Sequence, residues 1–238
     1  MSRLAHRLAA RAGAALIERD LRQSFRRVVW VGDLPDLPED RPVVAVANHH
    51  AYFDSYLLWR LASVTLRRPF IVWMEKWDQV PLFGPLGALP FPPDDARRRA
   101  RTVRETARRM TDGPAFLLLY PEGTMGPPDA GLAPFRTDLV RLGRVLPETA
   151  VWWPVGVRVT DWGHARPTAL LAGGDPLPAP DGTEADRLAA VLNRLAQARP
   201  EDLASGHAHV LLEGARGPDE RWDLRVLAPF FRRITPGV

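Results

Sequence analysis

Four short apolar runs, rich in Val, Ile, Leu and aromatics, punctuate the chain between residues 43 and 159: VVAVA (43–47), PFIVWM (69–74), AFLLLY (115–120) and AVWWPVGVRV (150–159). None shows the apolar–polar alternation of a half-solvated strand. An uninterrupted apolar run of that length is the mark of a strand covered on both faces. Stretches with helical spacing lie between or beside them: SYLLWRLASVTL (55–66), DARRRARTVRETARRM (95–110) and TDLVRLGRVL (137–146). Strands alternating with helices predict an α/β fold, a mainly parallel or mixed central sheet flanked by helices. The segment 28–42 reads as a short strand and a Pro/Asp-rich connector, 168–175 as a fifth strand, and 183–198 as a helix with Glu184 and Asp186 in its first turn. Residues 78–95 form a loop-rich insert with Pro at 81, 85, 90, 92 and 93. No repeat is visible, and the tail from about 200 carries no interpretable motif. The expected organisation is a basic amphipathic helix over 1–30 and a single α/β domain over 31–238, with its motifs in a core of about 40–160.

Charge is informative by its placement. The net charge of +4 conceals two basic islands: seven Arg against Glu18 and Asp20 in 1–30, and seven Arg against Glu105 in 97–109. The remainder is acidic, so the expected partner is anionic and met locally; no nucleic acid is expected among the partners. Arg3, Arg7 and Arg11 form one helical row, with Leu4, Leu8 and Ala12 beside it. A basic amphipathic helix of this kind can lie in the headgroup plane of an anionic membrane. No apolar run approaches the roughly 18 residues of a membrane span, and Arg7 and Arg11 interrupt any secretory signal. The expectation is a cytoplasmic chain associated peripherally with the inner face of the membrane. Cys is absent, which excludes disulfides, a thiolate nucleophile and Cys-ligated metal; no cofactor and no metal is expected. His207 and His209, in the tail, have no further ligands near them in sequence.

Two strand ends carry chemistry. In AVANHHAYFDSYLL (45–58) a strand ends at Asn48, and His49 precedes Asp54 by five residues. Strand C-termini are where α/β sheets place ligand groups. A His base needs a partner at Nδ1 to fix its tautomer and stabilise the imidazolium, leaving Nε2 free for the proton, and a tight turn would bring Asp54 there. The alternative is that Asp54 simply caps the following helix. In LLLYPEGTMGPP (117–128) a second strand runs into Tyr120-Pro121-Glu122-Gly123-Thr124, a turn that can hold a polar head group or be only a loop. Trp73, Trp77, Trp152 and Trp153 read as core, with walls of an acyl tunnel as the alternative.

Together these segments resemble the phospholipid/glycerol acyltransferase family, which includes the lysophosphatidic acid acyltransferases. Its first motif, NH with four residues and D, matches Asn48, His49 and Asp54. Its third, F-P-E-G-T-R after a strand, matches Tyr120 to Met125. Between them stand Glu75-Lys76, Pro81-Leu82-Phe83-Gly84 and GALPFPP; the Pro-Val of the fourth motif falls at Pro154-Val155, and Phe135-Arg136-Thr137 follows the third. The resemblance covers roughly half the chain and excludes the tail.

It implies an O-acyltransferase that moves a fatty acyl group from an acyl thioester, acyl-CoA or acyl-carrier protein, to a hydroxyl of a lysophospholipid, 1-acyl-glycerol 3-phosphate first among them, in phospholipid biosynthesis. His49 is then the base and Asp54 its orienting partner, with His50 a bystander. Asn48 and the backbone N–H groups after the first strand shape the oxyanion site. Glu122, Gly123, Thr124, Lys76 and Arg136 bind the acceptor, and the 97–109 helix meets donor phosphates or lipid headgroups. Two departures bear on the acceptor: Met125 stands where the family has Arg, and no Arg lies near Pro90–Pro93. Met cannot grip a phosphate, so Lys76, Arg136 or the Arg97–Arg99 cluster must supply the charge, or the acceptor is a non-phosphate lipid. A non-catalytic lipid-binding relative and a hydrolase are the other readings of the same residues.

Overall fold

The computed structural model describes residues 3–34, 36–221 and 225–234, with the side chains of residues 3, 221, 231, 232 and 234 outside the description. Its centre is an eight-stranded mixed sheet. The strands are β1 (Arg27–Val31), β2 (Val43–Ala47), β3 (Phe70–Met74), β4 (Ala88–Pro90), β5 (Phe116–Leu119), β6 (Val151–Thr160), β7 (Thr168–Gly173) and β8 (Ala208–Glu213), in the order β4-β3-β5-β2-β6-β7-β1-β8. From β4 through β6 every neighbour is parallel. The β6–β7 and β1–β8 pairs are antiparallel, and β1 lies parallel to β7. All five residues of β2 are buried, as a strand enclosed between β5 and β6 and covered on both faces requires.

The flanking helices are α1 (Arg3–Ser24), α2 (Asp54–Arg60, extended by a π-helical turn over Leu61–Thr65), α3 (Ala96–Thr111), α4 (Leu139–Gly143) and α5 (Glu184–Gln197). Strand alternation assigns each to a face. Val43, Ala45 and Ala47 pack with Ile17 and Leu21 of α1 and Leu57 and Leu58 of α2. Val44 and Val46 point the other way, to Met110 of α3 and Leu139 of α4. On that second face α5 brings Val191 and Leu195 against Val29 and Leu170. Carboxylates start the helices: Asp95 accepts from Arg98 N at 2.8 Å before α3, and Asp138 from Arg141 N at 2.8 Å before α4.

One expectation is corrected. The boundary at residue 30 falls inside β1, because the helix ends at Ser24 and residues 27–31 pair with both β7 and β8. The tail is part of the sheet, since β8 forms its edge beside β1. The N-terminal helix also has two halves. Ile17, Leu21 and the following Phe25 belong to the main core, whereas Leu4, Leu8 and Leu16 are exposed. Among the described residues no helix is long and apolar enough to cross a membrane.

One turn sets the path from the loop-rich insert into β4. The 3₁₀ segment Pro81–Leu86 ends at Gly87, whose φ is +106°. A Cβ there would also collide with the carbonyl oxygen of Phe70. Gly87→Ala should therefore cost at least about 2 kcal/mol of stability. Gly113→Ala, with nothing within 4 Å of the added carbon, should stay near the wild type. Thermal unfolding of the two variants side by side checks this.

Candidate active site

The site is built by the adjacency of β2 and β5. Val46 pairs with Leu119, an offset of 73, and the same offset continues past the strands to align His49 with Glu122. The two motif-bearing turns thus leave the sheet side by side. Asn48 fastens the first. It is fully buried, its Nδ2 donates to Val157 O at 2.9 Å, and its Oδ1 accepts from Val157 N at 2.8 Å. The side chain acts as one more peptide group in the β2–β6 ladder.

Glu122 fastens the second turn to the first. Its Oε1 accepts the backbone N–H of His49 at 2.9 Å and its Oε2 that of Ala133 at 2.8 Å. Gly126 N in turn donates to His49 O at 2.9 Å, so both peptide groups of His49 are gripped by the β5 turn. Asp54 completes the arrangement. Its Oδ2 accepts from His50 N at 2.7 Å and Ala51 N at 2.8 Å, and lies 3.2 Å from His49 Nδ1. Asp54 is not a helix cap: the N-cap position of α2 is Phe53, without a side-chain bond.

Tyr120 supports the imidazole from its flat side. The two rings stack with centroids 4.1 Å apart and planes 12° from parallel, and the Tyr120 hydroxyl meets Ser55 Oγ at 3.0 Å. Burial, reinforced by the charge of Asp54, pushes the Tyr120 phenol well above its ordinary range, so it stays a neutral hydroxyl. With the carboxylate at Nδ1, neutral His49 carries its proton there and offers a lone pair at Nε2. Among the described residues Nε2 has no hydrogen-bond partner, and the ring is 22% exposed. That is the geometry of a general base. His50 differs from it: its ring is 7% exposed, with Nε2 3.7 Å from Glu122 Oε2, and it reaches Asp54 only through its backbone N–H.

The other candidates divide. Gly123 (φ +73°) and Thr124 are exposed at the tip of the turn. Arg136 joins them: its N–H donates to Pro121 O at 2.8 Å, and its Cδ would stand 3.4 Å from a Cβ built on Gly123. Lys76 is exposed beyond the end of β3, two strands from β2. Two expected roles are corrected. Asn48 is fully buried with its amide group bound to Val157, so it offers no donor to an oxyanion, and the backbone amides of His49, His50 and Ala51 are committed as well. Glu122 is 1% exposed with both oxygens spent on backbone amides, so it positions the turns and does not meet an acceptor.

Two hollows flank the pair. One, of about 40 Å³ on the α1–α2 side, is apolar and lined by Ile17, Tyr56, Trp59, Val72 and Phe83, with Ser55 at its polar end. The other, of about 330 Å³, lies beside Asp54 and His50 and reaches Asp129, Arg158 and Asn193. Trp152 and Trp153 are core, and Trp73 donates to Thr106 Oγ1 at 2.9 Å. Trp59, not singled out from the sequence, is the tryptophan in the apolar hollow. Local pattern does not announce Tyr120 as the ring partner of His49 either; the β2–β5 register is what brings it there. Among the described residues no group of three or more His, Asp or Glu lies close enough to hold a metal ion.

A His–Asp pair at the end of a central parallel strand, with one imidazole nitrogen open, defines an α/β protein equipped for proton abstraction. The sequence model of the Acyltransferase family matches residues 28–157, more than half of the chain, and spans both turns. The chain belongs to that family. No curated protein matches it. Among solved structures it is similar to the 1-acyl-sn-glycerophosphate (LPA) acyltransferase PlsC from Thermotoga maritima, at 20% identity over 80% of this chain and 78% of that one, with a TM-score of 0.49. A lesser similarity, 14% identity over 74% of this chain and 56% of the other with a TM-score of 0.26, is to the Legionella pneumophila ATPase DotB.

The geometry separates a positioning Glu122 from an acceptor-binding one. Glu122→Gln replaces an accepting oxygen by an NH₂ that faces a backbone donor, at a cost of about 1–3 kcal/mol. The expected result is a lower melting temperature together with a fall in kcat. A variant that keeps its melting temperature and changes only the acceptor KM would return Glu122 to the acceptor site.

Proposed function

We propose that the protein is an O-acyltransferase that moves a fatty acyl group from an acyl thioester to the hydroxyl of a lysophospholipid, with 1-acyl-glycerol 3-phosphate as the acceptor. The observation that carries this reading is the His49–Asp54 pair with Nε2 open, in a chain of the Acyltransferase family. His49 Nε2 takes the proton of the acceptor hydroxyl as its oxygen attacks the thioester carbonyl carbon. Asp54 stabilises the imidazolium so formed. The tetrahedral intermediate collapses with loss of the C–S bond, and the sulfur leaves as a thiol with the proton from His49. No covalent acyl-enzyme is needed, because base and acceptor act in one direct transfer.

The surroundings support the substrates. The apolar hollow on the α1–α2 side, ending at Ser55 beside Tyr120, is the place for the start of the acyl chain. Gly123, Thr124 and Arg136 together receive the acceptor. Arg136 supplies the cation that Met125 cannot, because a desolvated phosphate needs a charged partner. The exposed Leu4, Leu8 and Leu16 with Arg7 and Arg11 bring the α1 side to an anionic membrane, where both lipids reside.

His49→Ala should lose ~10²–10⁴ of the transfer rate, and Asp54→Asn most of it, without loss of fold. Arg136→Ala should raise the acceptor KM more than it changes the KM for the thioester. The assay gives the purified protein one acyl thioester with lysophosphatidic acid and a neutral lipid alcohol in parallel. Exclusive use of the neutral alcohol would overturn the phosphate acceptor and leave acyl transfer in place, whereas an undiminished His49→Ala would overturn the mechanism.

Membrane contact has its own test. Removing residues 1–25 would strip Ile17, Leu21 and Phe25 from the core, each worth about 1.5–3 kcal/mol. Leu4→Ser/Leu8→Ser and Arg7→Glu/Arg11→Glu leave that core alone. Both pairs should weaken sedimentation with phosphatidylglycerol vesicles, and added salt should weaken the wild type in the same way. Salt-insensitive binding retained by both variants would contradict it.

A further inference from the structure

The second basic island has a placement that the first does not share. Arg97, Arg101 and Arg104 form one row along α3, and all three are exposed. Thr102, Thr106 and Met110 form the buried side of the same helix, so the row points directly away from the sheet. Other arginines of the island are engaged: Arg98 pairs with Asp78, Arg99 donates to the carbonyls of Pro92 and Pro93, and Arg108 and Arg109 share Glu105. That sharing holds the Glu105 carboxyl down at about 2. The side chains of Arg97, Arg101 and Arg104 have no hydrogen bond or ion pair among the described residues. Like charges at this spacing cost a helix a few tenths of a kcal/mol per pair, a cost that an anionic partner removes.

Three further observations select the partner. The row lies on the opposite side of the sheet from α1: α3 packs on Val44 and Val46, α1 on Val43, Ala45 and Ala47. A membrane met by the exposed half of α1 and by the apolar hollow beneath it therefore does not meet α3. The row is also convex, about 10 Å of outward helix surface, whereas small ligands such as free nucleotides are held in concave pockets. Finally, β4 and β2 are parallel members of one run of strands, and α3 begins a few residues after β4. The row thus starts at the sheet edge where His49 stands.

We propose that Arg97, Arg101 and Arg104 are the docking surface for an acidic, protein-borne acyl donor, an acyl carrier protein whose flexible arm brings the thioester over the sheet edge to His49. The inference rests on the thioester-dependent transfer proposed above and names the class of donor. Lipid approaches from one face of the sheet and the carrier from the other, with the reacting atoms at the edge between them. Charge complementarity of this kind acts on encounter and falls with ionic strength.

The test compares hexadecanoyl-acyl carrier protein with hexadecanoyl-CoA on the full chain. Arg97→Glu/Arg101→Glu/Arg104→Glu should raise the KM for the carrier-borne donor at least about tenfold, with KM and kcat for the CoA donor within twofold of wild type. Arg97→Lys/Arg101→Lys/Arg104→Lys should keep most of the carrier activity. A titration of fluorescently labelled carrier should show the same loss and should be salt-sensitive only in the wild type. That titration reads docking without turnover, so a chain that binds the carrier and transfers nothing sinks the acyl-transfer reading and not this one. An unchanged carrier affinity in the triple Glu variant overturns the proposal. So does loss of binding to phosphatidylglycerol vesicles with the carrier KM unmoved, which would make the row a lipid contact.

Discussion

The arrangement around His49 depends on one buried carboxylate. Glu122 stands almost without solvent between two turns, and both of its oxygens accept backbone N–H groups, from His49 on one side and Ala133 on the other. A buried carboxylate costs several kcal/mol in lost hydration. Two charge-assisted hydrogen bonds, with the His50 ring 3.7 Å away, offset that cost only while both turns remain in place. The carboxylate therefore locks the turns to each other. His49 is held by its own peptide groups, which fixes its position more firmly than side-chain contacts alone would.

Asp54 repeats the device on a smaller scale. Two amides of the same turn fix its Oδ2, and only then does it face His49 Nδ1. Stacking on Tyr120 fixes the ring plane, and the Tyr120–Ser55 contact ties that plane to α2. Every backbone donor between residues 49 and 51 is consumed in this way. The site is thus organised before any substrate arrives, which is what converts an encounter into a near-attack geometry.

Much of this was legible in the chain. Apolar runs such as VVAVA announced enclosed strands because covering both faces of a strand leaves no polar alternation. The spacing from His49 to Asp54 suggested the pair, with a helix cap as the alternative, and the fold decides between them because Phe53 takes the cap position. What could not be read depends on which strands become neighbours. The roles of Asn48 and Glu122 follow from Val157 and His49, partners 109 and 73 residues away that only the sheet order delivers. The tail was opaque for a related reason: β8 is an edge strand, half exposed, and its AHVLLE carries too weak a pattern to stand out. Met125 was legible as a departure, while the approach of Arg136 to Gly123 required the folded turn.

The proposed function turns on one step, in which His49 passes the acceptor's proton to the leaving sulfur in a single direct transfer. The measurement that reaches it most directly is the balance between thiol released and ester formed, followed in one reaction with and without acceptor. The expected result is one thiol per ester, negligible release when acceptor is omitted, and the parallel disappearance of both signals in His49→Ala. Thiol release that exceeds ester formation and persists without acceptor would contradict it and make the same pair a base acting on water.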